Sequence, residues 1–258
     1  MITHKNISLF FLFVLLLLLL LNLYTAINGA WFIAIVLIWL SINAVGSAVI
    51  SSNYHVKAYC NNSSETQKKI AITFDDGPSI FTPEVLTLLK KYEVKATFFC
   101  IGKNIETHPE IVQQIIAEGH LVGNHSYSHS PFFDFYNAKK ITTEIQKTDA
   151  LLEKYTSKKI NFFRPPYGVT TPSIRRALKR TSHKVIGWNI RSLDGGTTNQ
   201  SLIFNRIIKR ISPGGIVLLH DTGAHSVLVL EQFLQFLQQN NYKVISTEEL
   251  LNLNAYEN

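Results

Sequence analysis

Ile70-Ala71-Ile72-Thr73-Phe74-Asp75-Asp76-Gly77-Pro78 is an apolar run of strand length that ends on two adjacent carboxylates. Its β-branched and aromatic residues suit a buried strand, and the Gly-Pro pair behind it stops the element. Adjacent carboxylates repel, so a chain that closes a strand on two of them usually holds a cation or an Arg nearby that makes both ionised forms tolerable. A functional site is therefore expected at the carboxyl end of this strand.

The pattern recurs on either side of the longer amphipathic segments. Candidate strands lie at 70–74, 95–101, 120–123, 160–163, 184–190, 215–220 and 242–246, and candidate helices at 81–92, 105–118, 137–156, 171–180, 199–210 and 226–240. Such alternation predicts a parallel sheet with helices outside, because parallel neighbours need crossover connections. Asp75 and Asp76 follow the first strand, His125 the third, Arg164 the fourth and Asp194 the fifth, while His220 ends the sixth. An open doubly wound sheet would spread these groups apart, whereas a barrel gathers them at one mouth. The expected fold class is α/β, a distorted (β/α)7 barrel preceded by two N-terminal transmembrane helices.

Those two helices are read from composition. No Asp, Glu, Lys or Arg occurs from Asn6 to Val56, and Ile7 to Leu23 and Trp31 to Ile50 are each long enough to cross a bilayer as a helix of roughly 20 residues. Lys5 ahead of the first run also fits a cleaved signal peptide, but the equally apolar second run favours a retained hairpin that turns at Asn28-Gly29. The expected organisation is a hairpin anchor in the lipid bilayer over 1–50, a polar linker over 51–69 and a catalytic domain over 70–258. All 18 acidic residues and 24 of the 25 basic ones follow the hairpin, giving 24 − 18 = +6. That balance suits anionic glycans, lipid phosphates or a membrane face, and no cluster of Arg with interleaved aromatics marks a nucleic-acid reader. Cys60 and Cys100 are too few for a disulfide framework, and Cys100 at the end of an apolar strand reads as a small buried hydrophobe.

His125 and His129 in His-Ser-Tyr-Ser-His stand four apart, so on a helical turn both rings face one way and can meet one metal. Asp76 completes a two-histidine, one-carboxylate set that leaves positions open for substrate. Zn²⁺ is expected, and Co²⁺ and Ni²⁺ fit the same donors.

Together these residues resemble the polysaccharide deacetylases, the NodB-like carbohydrate esterase family 4. Thr-Phe-Asp-Asp-Gly-Pro at 73–78 is similar to the family's first motif, His-Ser-Tyr-Ser-His at 125–129 to the second, Arg-Pro-Pro-Tyr-Gly at 164–168 to the third and Leu218-Leu219-His220-Asp221 to the fifth. The resemblance spans about Lys69 to Leu251. It implies that Asp75 is the general base, that Asp76, His125 and His129 bind the metal, and that His220 is the general acid. It further implies that Arg164 holds Asp75, that the backbone N–H of Tyr167 serves the oxyanion and that Leu219 meets the acetyl methyl.

The fourth motif departs from the family. Trp188-Asn-Ile-Arg191-Ser-Leu-Asp194-Gly195 keeps Asp194, which can hold His220 charged, but carries Arg191 and Gly195 where the family usually shows Asp and Trp. Loss of the Trp removes a wall for a sugar face, and Arg191 suits a substrate phosphate or carboxylate as well as an acid within the fold. His108, His120, His183 and His225 are read as structural, and Trp188 as barrel packing.

The leading expectation is a metal-dependent hydrolase that removes N-acetyl groups from the amino sugars of a glycan. Deacetylation or deformylation of a lipid-linked amino sugar is the alternative, and a non-catalytic glycan-binding module is disfavoured by the presence of both Asp75 and His220. Lys5, Lys57, Lys68 and Lys69 flank the hairpin on one side, which by the positive-inside rule places the barrel in the cytoplasm, whereas cell-wall glycans lie outside. The side is left open.

Overall fold

The computed structural model describes residues 3–257. Two apolar helices come first, α1 (His4–Leu21) and α2 (Ala30–Ala48), each long and apolar enough to cross a membrane. They pack on each other, with the Trp39 indole N–H donating to Ser8 Oγ at 3.4 Å. The base of this pair is tied to the rest of the chain. The His4 N–H donates to Tyr54 O and the Thr170 N–H to Ser47 O, both at 3.0 Å. Gly46 lies so close to the Tyr54 ring that a Cβ there would sit 2.6 Å from its carbons, so only glycine fits.

The strands are β1 (Ala58–Tyr59), β2 (Lys69–Asp75), β3 (Thr97–Cys100), β4 (Leu121–Asn124), β5 (Lys159–Ile160), β6 (Phe162–Phe163), β7 (Lys184–Ile186), β8 (Ile190–Arg191), β9 (Gly215–His220), β10 (Lys243–Val244) and β11 (Tyr256–Glu257). The helices between them are α3 (Thr82–Lys91), α4 (Gly102–Thr107), α5 (Pro109–Ala117), α6 (Ala138–Thr156), α7 (Pro172–Thr181), α8 (Gln200–Ile208), α9 (Ala224–Gln239) and α10 (Thr247–Leu251). One parallel sheet runs β1-β7-β6-β4-β3-β2-β9-β8, and β10 pairs with the first residues of β2. Strands β7 and β8 are two pieces of one run, yet β7 pairs with β6 and β8 with β9, at opposite ends of the order. The sheet therefore curls until residues 187–189 join its two sides, as a distorted (β/α)7 barrel requires.

Period-two burial builds the layers. Along β2, Ile70, Ile72 and Phe74 enter the core between sheet and helices, while Ala71 belongs to an inner cluster with Phe99, Phe162, Ile186 and Ile216. Each large apolar side chain so buried contributes roughly 1.5–3 kcal/mol. Asp75, two residues beyond Thr73 and four beyond Ala71, is thereby aimed into the barrel rather than at the helices.

Local chemistry explains where the elements differ from expectation. The helix expected over 105–118 is two helices, broken at His108 because Pro109 disfavours helical backbone before it. The strand expected over 160–163 divides into β5, which pairs antiparallel with β11, and β6, which enters the barrel. The strand expected over 184–190 divides at Gly187. Within the stretch read as a linker, β1 pairs with β7, and Ala58 and Cys60, together with Ile50 at the end of the stretch read as the anchor, pack in a cluster with Phe163 and Val185.

Candidate functional site

The carboxyl ends of β2, β4 and β9 bring Asp75, Asp76, His125 and His220, with His129 from the loop after β4, to one cavity of about 290 Å³, and Arg164 at the end of β6 is buried behind Asp75. Tyr167, Trp188, Arg191, Leu193, Gly195 and Leu218 complete its wall. Asp76, Ser126, His129, Tyr167 and Leu193 all adopt left-handed backbone, with φ between 44° and 70°. Such conformations cost of order 1 kcal/mol or more for residues with a side chain and collect where a site demands them.

Asp75 is nearly fully buried and its two oxygens are not equivalent. The Arg164 Nη1–H donates to Oδ1 at 2.7 Å, while Oδ2 faces the His125 Nε2 at 3.8 Å. Arg164 is itself fully buried, and every direction of its fork is used: Nη1 also reaches Thr73 Oγ1 at 2.8 Å, Nε donates to Ile186 O and Nη2 to Gly187 O, both at 2.9 Å. The guanidinium thus satisfies the carbonyls exposed where the run 184–191 leaves one strand pairing for another. Burial of a charge on this scale is tolerable only because it is paired and fully hydrogen-bonded.

Asp76 Oδ1, His125 Nε2 and His129 Nε2 point at one another, with Oδ1 at 3.4 Å from the first ring and 3.3 Å from the second. The expected helical turn under the two histidines is not there. Residues 125–129 form a loop, shaped by Asn124 Oδ1 accepting from the Ser126 N–H at 2.8 Å and by Glu144 accepting from the Ser128 N–H at 2.8 Å. The rings nevertheless converge, their centroids 4.9 Å apart. The His125 Nδ1–H donates to Arg164 O at 2.7 Å, which turns the Nε2 lone pair toward Asp76.

This donor set fits a divalent metal. Asp76 Oδ1 is buried and accepts no hydrogen bond, an arrangement that buried carboxylates avoid unless a cation satisfies them. Burial works against Asp76's charge, and the facing His125, His129 and His220 outweigh it, so the carboxyl lies well below its usual range. Burial and the neighbouring His125 charge lower His129 to about 4, which leaves its imidazole neutral. One ligand atom from each of the three residues lies within 4.8 Å of the others.

Across the cavity His220 makes the opposite arrangement. Its Nδ1–H donates to Asp194 Oδ1 at 2.7 Å and its backbone N–H to Asp194 Oδ2 at 2.8 Å, while Nε2 faces Asp76 Oδ2 at 3.7 Å. Burial opposes charge on the ring, but the Asp194 carboxylate outweighs it and His220 is pushed up to about 9. Asp194 is held below its usual range against burial by the same ring and by Ser192, whose hydroxyl donates to Oδ1 at 2.5 Å; Ser226 donates to Oδ2 at 3.0 Å. Sequence reading missed Ser192 and Ser226, although a serine two residues before a buried Asp is a recognisable local donor.

One expected site residue is placed elsewhere. Leu219 packs in the core between sheet and helices, and Leu218 lines the cavity instead. Strand alternation requires this, because residue 218 shares a face with His220 and residue 219 does not. Tyr167 lies at the rim, its ring 4.7 Å from that of His129. Trp188 both packs against Gly168 and lines the cavity. Gly195 leaves the His220 ring uncovered, for a Cβ there would already lie 3.3 Å from Cε1. Arg191 is exposed at the rim, 5.7 Å from the Trp188 ring, and makes no ion pair with an acid among the described residues.

A family model described as polysaccharide deacetylase matches residues 62–186. A peptidoglycan-N-acetylglucosamine deacetylase of Bacillus cereus is 31% identical over 228 residues, covering 80% of this chain and 82% of that one. The peptidoglycan-N-acetylmuramic acid deacetylase PdaA of Bacillus subtilis is 31% identical over 198 residues, 75% of this chain and 74% of its own length. Among solved structures, the Bc1960 peptidoglycan N-acetylglucosamine deacetylase superposes with a TM-score of 0.70 at 31% identity, over 78% of this chain and 94% of that one.

Proposed function

The chain belongs to the polysaccharide deacetylases, metal-dependent hydrolases that remove N-acetyl groups from the amino sugars of glycans, and we propose that Asp75 and His220 are its proton-transfer pair acting on peptidoglycan. The observation that carries the assignment is the placement of two opposed proton devices, Arg164–Asp75 and Asp194–His220, around one unsatisfied donor set.

Asp76, His125 and His129 would hold the metal, for which Zn²⁺ is the first choice. When bound, that ion supplies Lewis-acid polarisation of the acetyl carbonyl and favours hydroxide at neutral pH. Asp75 Oδ1 is engaged by Arg164, so Oδ2 is the oxygen that accepts the proton of the attacking water. The backbone N–H of Tyr167 is assigned to the developing oxyanion, where loss of one donor commonly costs roughly 3 kcal/mol. Leu218 is assigned to the acetyl methyl. As the C–N bond breaks, His220 gives its Nε2 proton to the leaving amine, and Asp194 stabilises the charged ring until that moment. Acetic acid, which ionises to acetate in solvent, and the free amino sugar leave, with one water proton moved to Asp75 and one proton from His220 on the amine.

The test is acetate release from N-acetylated peptidoglycan, chitin and polyprenyl-linked amino sugars by chelator-treated protein reloaded with defined metals. Activity is expected with Zn²⁺, Co²⁺ or Ni²⁺ and to fall by about 10²–10⁴ in Asp75→Asn. Release unaffected by chelation, or an Asp75→Asn variant as active as the parent, would refute the assignment.

Arg191 favours a second reading of the substrate. An exposed guanidinium beside an opened wall suits a sugar that carries a carboxylate or phosphate, such as an N-acetylmuramic acid unit or a lipid-linked amino sugar. Arg191→Ala should then raise KM for anionic substrates and leave neutral ones alone. Equal effects on both would restrict Arg191 to packing on Trp188.

The apolar hairpin is proposed as an anchor that keeps the barrel at a bilayer surface. Resistance to alkaline carbonate extraction tests it, and a reporter fused after Asn258 assigns the side.

A further inference from the structure

We propose that the cleft between the base of the hairpin and helix α7 binds the phosphate of an anionic phospholipid headgroup. The proposal rests on reading the hairpin as a membrane anchor. Two adjoining cavities, of about 530 and 450 Å³, share Lys5, His55, Arg175 and Lys179 in their walls. Lys57 and Lys184 line the first and Arg176 the second, so six cations face the cleft and no carboxylate does. All six are exposed, and none is ion-paired among the described residues.

The fold gathers them from four separate places. Helix α7 buries Ile174, Ala177 and Leu178 in a cluster with Ile141 and Ile145 of α6 and Phe163 and Val185 of the sheet, which leaves Arg175, Arg176 and Lys179 together on its outer face. Lys184 opens β7 and Lys57 precedes β1, whose strands are paired. Lys5 lies in the first turn of α1, two residues before its first apolar side chain.

Their height relative to a bilayer is fixed by backbone contacts. The Thr170 N–H donates to Ser47 O at the end of α2, two residues before α7 begins, and the His4 N–H donates to Tyr54 O. The first turn of α7 is therefore level with both ends of the apolar pair, which is the depth of lipid phosphates when those helices span the hydrocarbon. Charges of one sign around a cleft repel until an anion enters, and Arg forks engage phosphate oxygens two at a time. Basic clusters beside a membrane span are attracted to anionic lipid in this way. Phosphate held there would fix the tilt of the barrel on the membrane.

Native mass spectrometry of the full chain in neutral detergent, with phosphatidylglycerol and phosphatidylcholine supplied equally, tests the inference. The wild type is expected to retain phosphatidylglycerol over phosphatidylcholine by about tenfold or more. Arg175→Gln combined with Lys179→Gln should weaken retention roughly 25-fold, from about fivefold per charge, while Lys209→Gln with Arg210→Gln, an exposed pair elsewhere, should not. Equal retention of the two lipids, or a double variant that binds like the parent, overturns the cleft. Displacement of the lipid by an equal concentration of inorganic phosphate overturns the lipid as its source. A chain that alkaline carbonate strips from vesicles overturns the anchor and the lipid source together, whereas a resistant chain without lipid preference overturns only the cleft.

Discussion

At Asp194 both carboxylate oxygens are committed to His220, one to the ring and one to the backbone, with Ser192 and Ser226 filling the remaining positions. With His220 as the proposed acid, the residue's role is to position that acid rather than to touch substrate. Asp194→Asn should keep KM near the parent value and lower kcat by about 10²–10⁴, because the imidazolium loses the charge that offsets its burial. A variant whose loss lies wholly in KM would contradict that role. Asp221, next along the chain, behaves differently. Burial raises its carboxyl to about 7 despite the Thr82 hydroxyl that donates to it at 2.5 Å. The unfolded carboxyl titrates near about 3.9, so the folded state binds the extra proton between the two values and stability falls as pH rises from about 4 through about 7. His55, His120 and His129, each lowered to about 4 by burial, change stability in the opposite sense over much of that range, so the Asp221 contribution is read as a difference: in chemical denaturation of metal-free protein, the stability of the parent relative to Asp221→Asn should fall as pH rises from about 4 to about 7. A difference that stays constant or grows over the same interval would place the Asp221 proton wrongly.

At the scale of elements, the run 184–191 is a barrel strand torn between two partners, and Arg164 is what makes the tear tolerable. Arg164→Lys keeps the charge but cannot reach Ile186 O, Gly187 O, Thr73 and Asp75 at once, and each buried carbonyl left alone costs about 1–3 kcal/mol. A loss of roughly 2–5 kcal/mol in denaturant unfolding is expected, together with lower activity from a freed Asp75. An unchanged midpoint would mean that water or backbone movement replaces the guanidinium. Much of this level was legible in sequence, because apolar runs and the polar residues that end them report strands and a common mouth: Asp75, Asp76, His125 and His220 do meet there, with Arg164 behind Asp75 and Asp194 behind His220. The tear at Gly187 was not, since side-chain periodicity records which face is buried and not which strand a carbonyl bonds. The 125–129 loop escaped for a related reason. His-x3-His spacing suits a helix, but Asn124 and Glu144 supply acceptors that hold the backbone open. Leu218 could have been found, as strand alternation alone pairs it with His220.

At the scale of the whole molecule the question is where the barrel ends and the hairpin begins. Composition divides them near residue 50, and packing does not. Ile50 is buried in a cluster with Ala58, Cys60, Phe163 and Val185, so the residues just after α2 belong to the barrel's wall. Two truncations separate these views. A chain beginning at Val49 keeps Ile50 and β1, and it should remain folded and release acetate from soluble glycan fragments with unchanged kcat/KM. A chain beginning at Asn61 loses β1 and the buried Ile50, Ala58 and Cys60. Removing one large buried aliphatic side chain commonly costs 2–5 kcal/mol by itself, so its midpoint should fall by at least about that much and its activity should fade at lower temperature. Equal unfolding midpoints for the two chains would make residues 49–60 a tether instead. Barrel and hairpin would then be joined only through covalent chain, and the depth at which α7 presents its cations to a bilayer would no longer be set by the fold.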